Sequence, residues 1–113
     1  MEKISEQAIE PIRKQLTLDD VKDVKYIPLR IGDNITINME KIERAKAKPD
    51  FCLSGVEYRY ELFDYSGAVL TVSSWALWNV IRKCLNEVGR VRDIKLNIAH
   101  RGTKDYTCEV FSA

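Results

Sequence analysis

Residues 56–89, VEYRYELFDYSGAVLTVSSWALWNVIRKCLNEVG, constrain the fold of this chain most, because two different periodicities meet within them. Apolar and polar residues alternate on both sides of the turn sequence DYSG, which predicts an antiparallel hairpin. After Ser74, a favoured N-cap residue, apolar residues recur at three- and four-residue steps as far as Gly89. This second pattern predicts a helix that follows directly on the hairpin.

Strand patterns also lie on either side of this run. Residues 35–39 alternate Ile, Ile and Met with polar residues, and Ile42 then breaks the period, which predicts a bulge or sharp coil near Glu40 and Lys41. Residues 94–110 form two further alternating segments around the turn sequence RGTKD. The order is therefore a long strand, a hairpin, a helix and a second hairpin, with the helix between the third and fourth strands.

The first thirty residues have a different pattern. Apolar residues at helical spacing in residues 3–16 predict a helix that Pro11 should kink or split, and Thr17 is a second candidate N-cap. We therefore expect a helical extension over residues 1–30, packed on a main domain of residues 31–113. Its apolar stripe could instead contribute to a homodimer or bind a partner protein.

Composition limits the classes of protein that this chain can belong to. A length of 113 residues with 31% charged and 45% hydrophobic residues predicts one folded globular domain. The three cysteines have no CxxC spacing, and no signal peptide or membrane-spanning run is evident, which favours a cytoplasmic protein without disulfides or a zinc site. The net charge of +1 means that affinity for nucleic acid must come from local clusters of charge.

Five strands with one helix after the third are typical of a small Greek-key barrel. The predicted fold is a mainly β, five-stranded OB-fold-like barrel. An α+β sandwich, with the helix over an open antiparallel sheet, is the alternative that the order of elements leaves open.

The segments GDNITINMEKIER, YRYELFDYSGAVLTVSSWAL and DIKLNIAHRGTKDYTCEVF resemble small OB-fold single-stranded DNA-binding proteins of phages, archaeal viruses and prokaryotes. The resemblance covers about residues 31–111. It implies a sequence-tolerant binder of single-stranded DNA that acts in replication, recombination or repair in a prokaryotic or virus-infected cell. It also implies that the nucleic acid crosses the outer face of the second and third strands. RNA remains an open alternative ligand.

Binding of single strands needs cations for the phosphates and exposed rings on which bases stack. The sequence offers these in the loop after the first strand, on the polar face of the second strand, at the start of the helix and around the last turn. The predicted nucleic-acid-binding residues are Arg44, Lys46, Lys48, Phe51, Arg59, Phe63, Trp75, Lys95, His100, Arg101 and Lys104. Trp75 is open to two interpretations, base stacking or core packing, whereas Trp78, Tyr58 and Tyr60 are expected in the interior or at its rim.

No catalytic motif or phosphate-binding glycine loop accompanies these residues, and His100 is the one histidine. We therefore expect a non-enzymatic protein without metal or cofactor. The alternative function is an OB-like protein–protein interaction module, such as a phage or viral accessory factor, which the near-neutral net charge favours.

Overall fold

The computed structural model describes residues 10–13 and 25–112, and the secondary structure of these residues is as follows. The strands are β1 (Glu10–Arg13), β2 (Asn34–Lys46), β3 (Tyr58–Asp64), β4 (Val69–Val72), β5 (Ile94–Gly102) and β6 (Asp105–Ser112). One α-helix, α1 (Trp75–Val88), lies between β4 and β5, and a 3₁₀ turn spans Pro49–Phe51.

The sheet has the order β4-β3-β2-β5-β6, with antiparallel neighbours, and this confirms the predicted five strands with one helix after the third of them. Closure into a barrel was predicted and is wrong, because no ladder joins β4 to β6 in the described part of the chain. The outer edge of β4 instead bonds residues 25–27: the N–H of Ile27 donates to the Val69 carbonyl at 2.8 Å. The architecture is thus the open antiparallel sheet.

Strand β2 is long because it serves both halves of this sheet. Its residues 34–38 pair with β5, and its residues 39–46 pair with β3. The register shifts between Met39 and Lys41, which confirms the predicted irregularity at Glu40. An extra residue there bends a strand and increases its twist, so the two halves of β2 can present their side chains in different directions.

The N-terminal prediction fails where it can be compared with the structure. Residues Glu10–Arg13, expected within a helix, form β1 and pair in parallel with β2 near Glu43 and Ala45. Pro11 accounts for this, because proline has no N–H to donate and clashes with the preceding helical turn. The rest of the predicted extension before Lys25 lies outside the described residues.

The core lies between the inner face of the sheet and α1. Trp78 is buried and stacks on Tyr60, with ring centroids 3.8 Å apart and an interplanar angle of 13°. Tyr58 is half-buried and meets Tyr60 edge-on at 5.6 Å. The interior placement predicted for these three rings is confirmed. The helix ends as predicted at Gly89, whose φ of 79° is left-handed and whose N–H donates to the Leu85 carbonyl.

Candidate nucleic-acid interface

The outer face of β3 differs from the sequence-based expectation. Arg59 and Glu61, which alternate outward from the core, are only 8% and 2% exposed, and their side chains form an ion pair at 3.1 Å. Tyr26 lies beside this pair, and its ring centroid is 5.8 Å from the Arg59 guanidinium carbon. Arg59 was expected on an exposed polar face, and that expectation is wrong because this face is covered.

Phe63 lies farther along the same face of β3 and is half-buried. The Nζ of Lys41, its direct neighbour on β2, lies 4.8 Å from the centre of the Phe63 ring. One side of this ring is therefore already in contact with a cation of the protein. The face of β3 offers less free aromatic surface than the sequence suggested.

A different face of the sheet is open, and we call it the open sheet face. It consists of three rows of side chains that run across the sheet from β2 through β5 to β6. The residues that alternate with these along each strand point to the other face of the sheet, towards the core. The rows are Asn38–Lys95–Phe111, Thr36–Asn97–Glu109 and Asn34–Ala99–Thr107. Amides and hydroxyls on such a face can both donate and accept hydrogen bonds.

The first row combines a cation with a free aromatic ring. Lys95 and Phe111 are directly opposite each other on β5 and β6, and both are exposed, Phe111 to 51%. An exposed ring of this size next to an ammonium group has the two properties that single-strand binding needs. Sequence reasoning missed Phe111, although its alternation with Thr107 and Glu109 in β6 already placed it on the polar face.

The last hairpin places a second group of cations at the far end of this face. Arg101 and Lys104 are exposed around the turn between β5 and β6, as predicted. Lys95, which we expected around the same turn, lies instead at the start of β5, six residues before Arg101 and about 20 Å away at about 3.3 Å per residue. The cations therefore lie at two ends of β5 rather than in one cluster.

His100 lies at the same turn but does not point into solvent with Arg101. Its ring stacks on Tyr106, with centroids 4.2 Å apart, and its Nδ1 is 3.2 Å from the Leu29 carbonyl oxygen. Both contacts hold the half-buried imidazole in place. His100 therefore has a structural environment that joins the hairpin to the segment before β2.

The loop after β2 forms a separate basic surface. Lys46, Lys48 and Phe51 are exposed there, Phe51 to 54%, while Arg44 is half-buried with its guanidinium 5.3 Å from the Tyr58 ring centre. The hairpin tip adjoins the other end of β2, since the N–H of Gly32 donates to the His100 carbonyl. Twelve strand steps, a contour of about 40 Å along the bent β2, separate these two ends.

Trp75 begins α1 and is half-buried against the core. Its indole Nε1 donates to the Ser54 carbonyl oxygen at 2.8 Å, so the helix start is connected to the loop before β3. Part of the ring is accessible, and both interpretations of Trp75 given by the sequence remain predictions.

Comparisons of the chain with protein-family models, curated proteins and solved structures find no match. Among residues 10–13 and 25–112, no three His, Cys, Asp or Glu side chains are grouped so that they could hold a metal ion. In the same residues, no helix has the length and apolar character needed to cross a bilayer. The geometry of the open sheet face is thus the main guide to function.

Proposed function

We propose that this protein binds single-stranded nucleic acid without sequence specificity, DNA in the first place, and does so without enzymatic activity. The observation that carries the proposal is the exposed pair of Phe111 and Lys95 in the first row of the open sheet face. Stacking on an aromatic side chain contributes about 1 to 3 kcal/mol per base, and every base has a face that can stack. The ring thus provides affinity and the ammonium group contacts a phosphate.

The proposed path follows β5 from Lys95 to the hairpin tip. Arg101 and Lys104 would receive the phosphates at that end, about 20 Å from Lys95. Between them, Asn97 and Thr36 offer hydrogen-bonding groups, of which the Asn97 amide already donates to the Thr36 hydroxyl at 3.1 Å. Glu109 lies beside this path and limits its net positive charge, so binding should be moderate in strength and sensitive to salt.

An OB-like architecture is part of the proposal. It is supported by the strand order β4-β3-β2-β5-β6, the long bent β2 and the position of α1 between β4 and β5. The path differs from the one that the resemblance implied, because Arg59 and Glu61 on β3 are buried. The loop with Lys46, Lys48 and Phe51 is a second candidate contact at the opposite end of β2.

The test is a fluorescence-anisotropy titration of a labelled oligo-dT over a series of salt concentrations. The logarithm of the association constant should fall by about 0.7 per log unit of salt for each phosphate contacted. Phe111→Ala should weaken binding by about 5- to 140-fold, which corresponds to one lost stack. Lys95→Gln should weaken binding and lower the salt slope, whereas Lys83→Gln, an equal charge change on the exposed surface of α1, should leave both unchanged.

A flat salt response, or equal affinity for duplex DNA, would contradict the proposal. If Phe111→Ala binds normally while Lys48→Gln and Phe51→Ala lose affinity, the contact surface is the loop after β2. Competition between matched DNA and RNA oligomers then decides the preferred nucleic acid, because only RNA offers 2′-hydroxyl contacts.

A protein–protein interaction module is the second candidate function. The groove between α1 and β6 favours it, because Val88 is 38% exposed there and apolar side chains line the groove together with Glu87, Arg90 and Glu109. If the protein does not bind oligo-dT at low salt but does bind a peptide in this groove, this second function is correct.

A further inference from the structure

A groove of about 550 Å³ runs between the C-terminal half of α1 and the edge of β6. Cys84 and Val88 line it from the helix, and residues 108–111 line it from the strand. Residues from both faces of β6 contribute, since Val110 faces the core and Phe111 the open sheet face. The groove therefore follows the edge of the strand, where backbone groups are available.

Two observations show which backbone groups point into it. The N–H and C=O of His100 bond Asp33 and Gly32, so they point towards β2 and away from β6. The direction of the backbone N–H and C=O repeats every second residue along a strand, so those of Ile98 and Leu96 also point towards β2. Their partners on β6, Cys108 and Val110, therefore direct their own N–H and C=O away from β5.

The second observation is independent of the first. The Cys84 thiol donates to the Cys108 carbonyl at 2.8 Å, which places that carbonyl on the side of α1. No backbone partner for the Val110 N–H and C=O is found among the described residues. Among the described residues, the edge of β6 at Val110 therefore has an unpaired backbone donor and acceptor next to Cys84 and Val88 of α1.

The charge of the groove is negative at its walls. Glu87 on α1 and Glu109 on β6 both line it and are exposed, while the guanidinium of Arg90 at its end donates to the Asp93 carbonyl. Burial raises the pKa of the Cys84 thiol, and the two carboxylates act in the same direction, with the bond to Cys108 and the charge of Lys83 opposing them. The two carboxylates favour a cationic segment in the groove.

We propose that this groove binds an extended cationic peptide segment of a partner protein, which adds as a further strand along β6. Its backbone would bond the Val110 N–H and C=O, as in other cases of strand addition to a sheet edge. Alternate residues would then point either towards Cys84 and Val88 or towards Glu109. The preferred segment has apolar residues at every second position and Lys or Arg between them. This inference is independent of nucleic-acid binding and gives a location to the second candidate function.

The probe is a fluorescein-labelled peptide of alternating valine and lysine, six residues long, titrated against the full chain with ¹⁵N-resolved amide shifts as the second readout. We expect saturable binding with shifts confined to residues 84–90 and 106–112. The same peptide with N-methyl groups on the amides that would face β6 should not bind. Val110→Pro, which removes the outward N–H and also changes the core-facing side chain, should also abolish binding.

Glu87→Lys should weaken peptide binding by about fivefold. Its matched control is Glu57→Lys, which makes the same charge change at an exposed position in the loop before β3 and should bind the peptide normally. Neither variant should weaken the binding of oligo-dT, so failure of the peptide proposal and failure of the nucleic-acid proposal give different results.

Three outcomes would overturn the inference. The first is equal binding of the N-methylated peptide, or no binding of either peptide, which excludes strand addition. The second is slow exchange of the Val110 amide proton with solvent in the monomer, which would show that another part of the same chain covers this edge of β6. The third is a dimer in sedimentation analysis that Val110→Pro dissociates, because the occupant would then be a second copy of this chain.

Discussion

Replacing each tryptophan in turn with alanine tests which of the two rings contributes more to the stability of the core. Trp78 is 2% exposed and stacked on Tyr60, so Trp78→Ala removes a buried ring and leaves a cavity between α1 and β3. Such truncations cost about 3 to 5 kcal/mol, and the stacked pair adds about 0.5 to 1.5 kcal/mol to what area alone predicts. A domain of this size has a free energy of unfolding of roughly 6 to 17 kcal/mol, so the loss is a large fraction of it.

Trp75→Ala removes the same atoms from a half-buried position. It loses the hydrogen bond to Ser54 and part of an apolar contact, which together contribute about 1 to 2 kcal/mol. The side chain removed is identical in the two variants, so the difference in stability reports the different surroundings of the two rings.

Urea unfolding followed by far-ultraviolet circular dichroism measures both variants without relying on tryptophan fluorescence. With a slope of about 2 kcal/mol per molar urea, the midpoint of Trp78→Ala should fall by about 2 M and that of Trp75→Ala by less than about 1 M. Equal losses, or a larger loss for Trp75→Ala, would refute the assignment of Trp78 to the core. The folded variants also test the other prediction, that Trp75→Ala weakens oligonucleotide binding more than it weakens the fold.

Three further predictions concern buried polar groups. Arg59→Met should lower the free energy of unfolding by about 3 to 5 kcal/mol in urea, because the buried Glu61 carboxylate loses its guanidinium partner. The double variant with Glu61→Leu should recover most of this loss. If Arg59→Met alone leaves stability unchanged, the buried ion pair is contradicted. Burial would raise the pKa of Asp64, but hydrogen bonds donated to its carboxylate lower the pKa below 3.8. The ionised carboxylate therefore stabilises the fold above that pH, and this stabilisation is lost as the pH falls further. Asp64→Asn should therefore destabilise the protein at about pH 7 and much less at about pH 2, and a constant difference would refute this. Burial and the neighbouring Tyr58 raise the pKa of Tyr60 from 10.0 to about 12, so stability should fall as the pH rises through this window. Alkaline unfolding curves should show a smaller fall for Tyr60→Phe, with a remainder from the Cys84 and Cys108 thiols, whose pKa values burial also raises.

The sequence alone determined the order of elements, because local patterns encode it. Alternation around DYSG and RGTKD and helical spacing after Ser74 gave the two hairpins and α1, and the broken period at Ile42 located the bulge in β2. The same patterns assigned Tyr60 and Trp78 to the interior. At Glu10–Arg13 the apolar spacing predicted a helix, whereas Pro11 disfavours one, and the structure there is a strand.

Tertiary structure decided which faces of the sheet are open, since alternation separates two sides of a strand but does not tell what covers each side. Arg59 and Phe111 both alternate away from the core, yet Arg59 is buried beside Tyr26 whereas Phe111 is exposed. Strand pairing likewise placed Lys95 opposite Phe111, and among the described residues it left the outer edge of β6 without a neighbouring strand. These are contacts between segments far apart in the chain, and a local pattern carries no information about them.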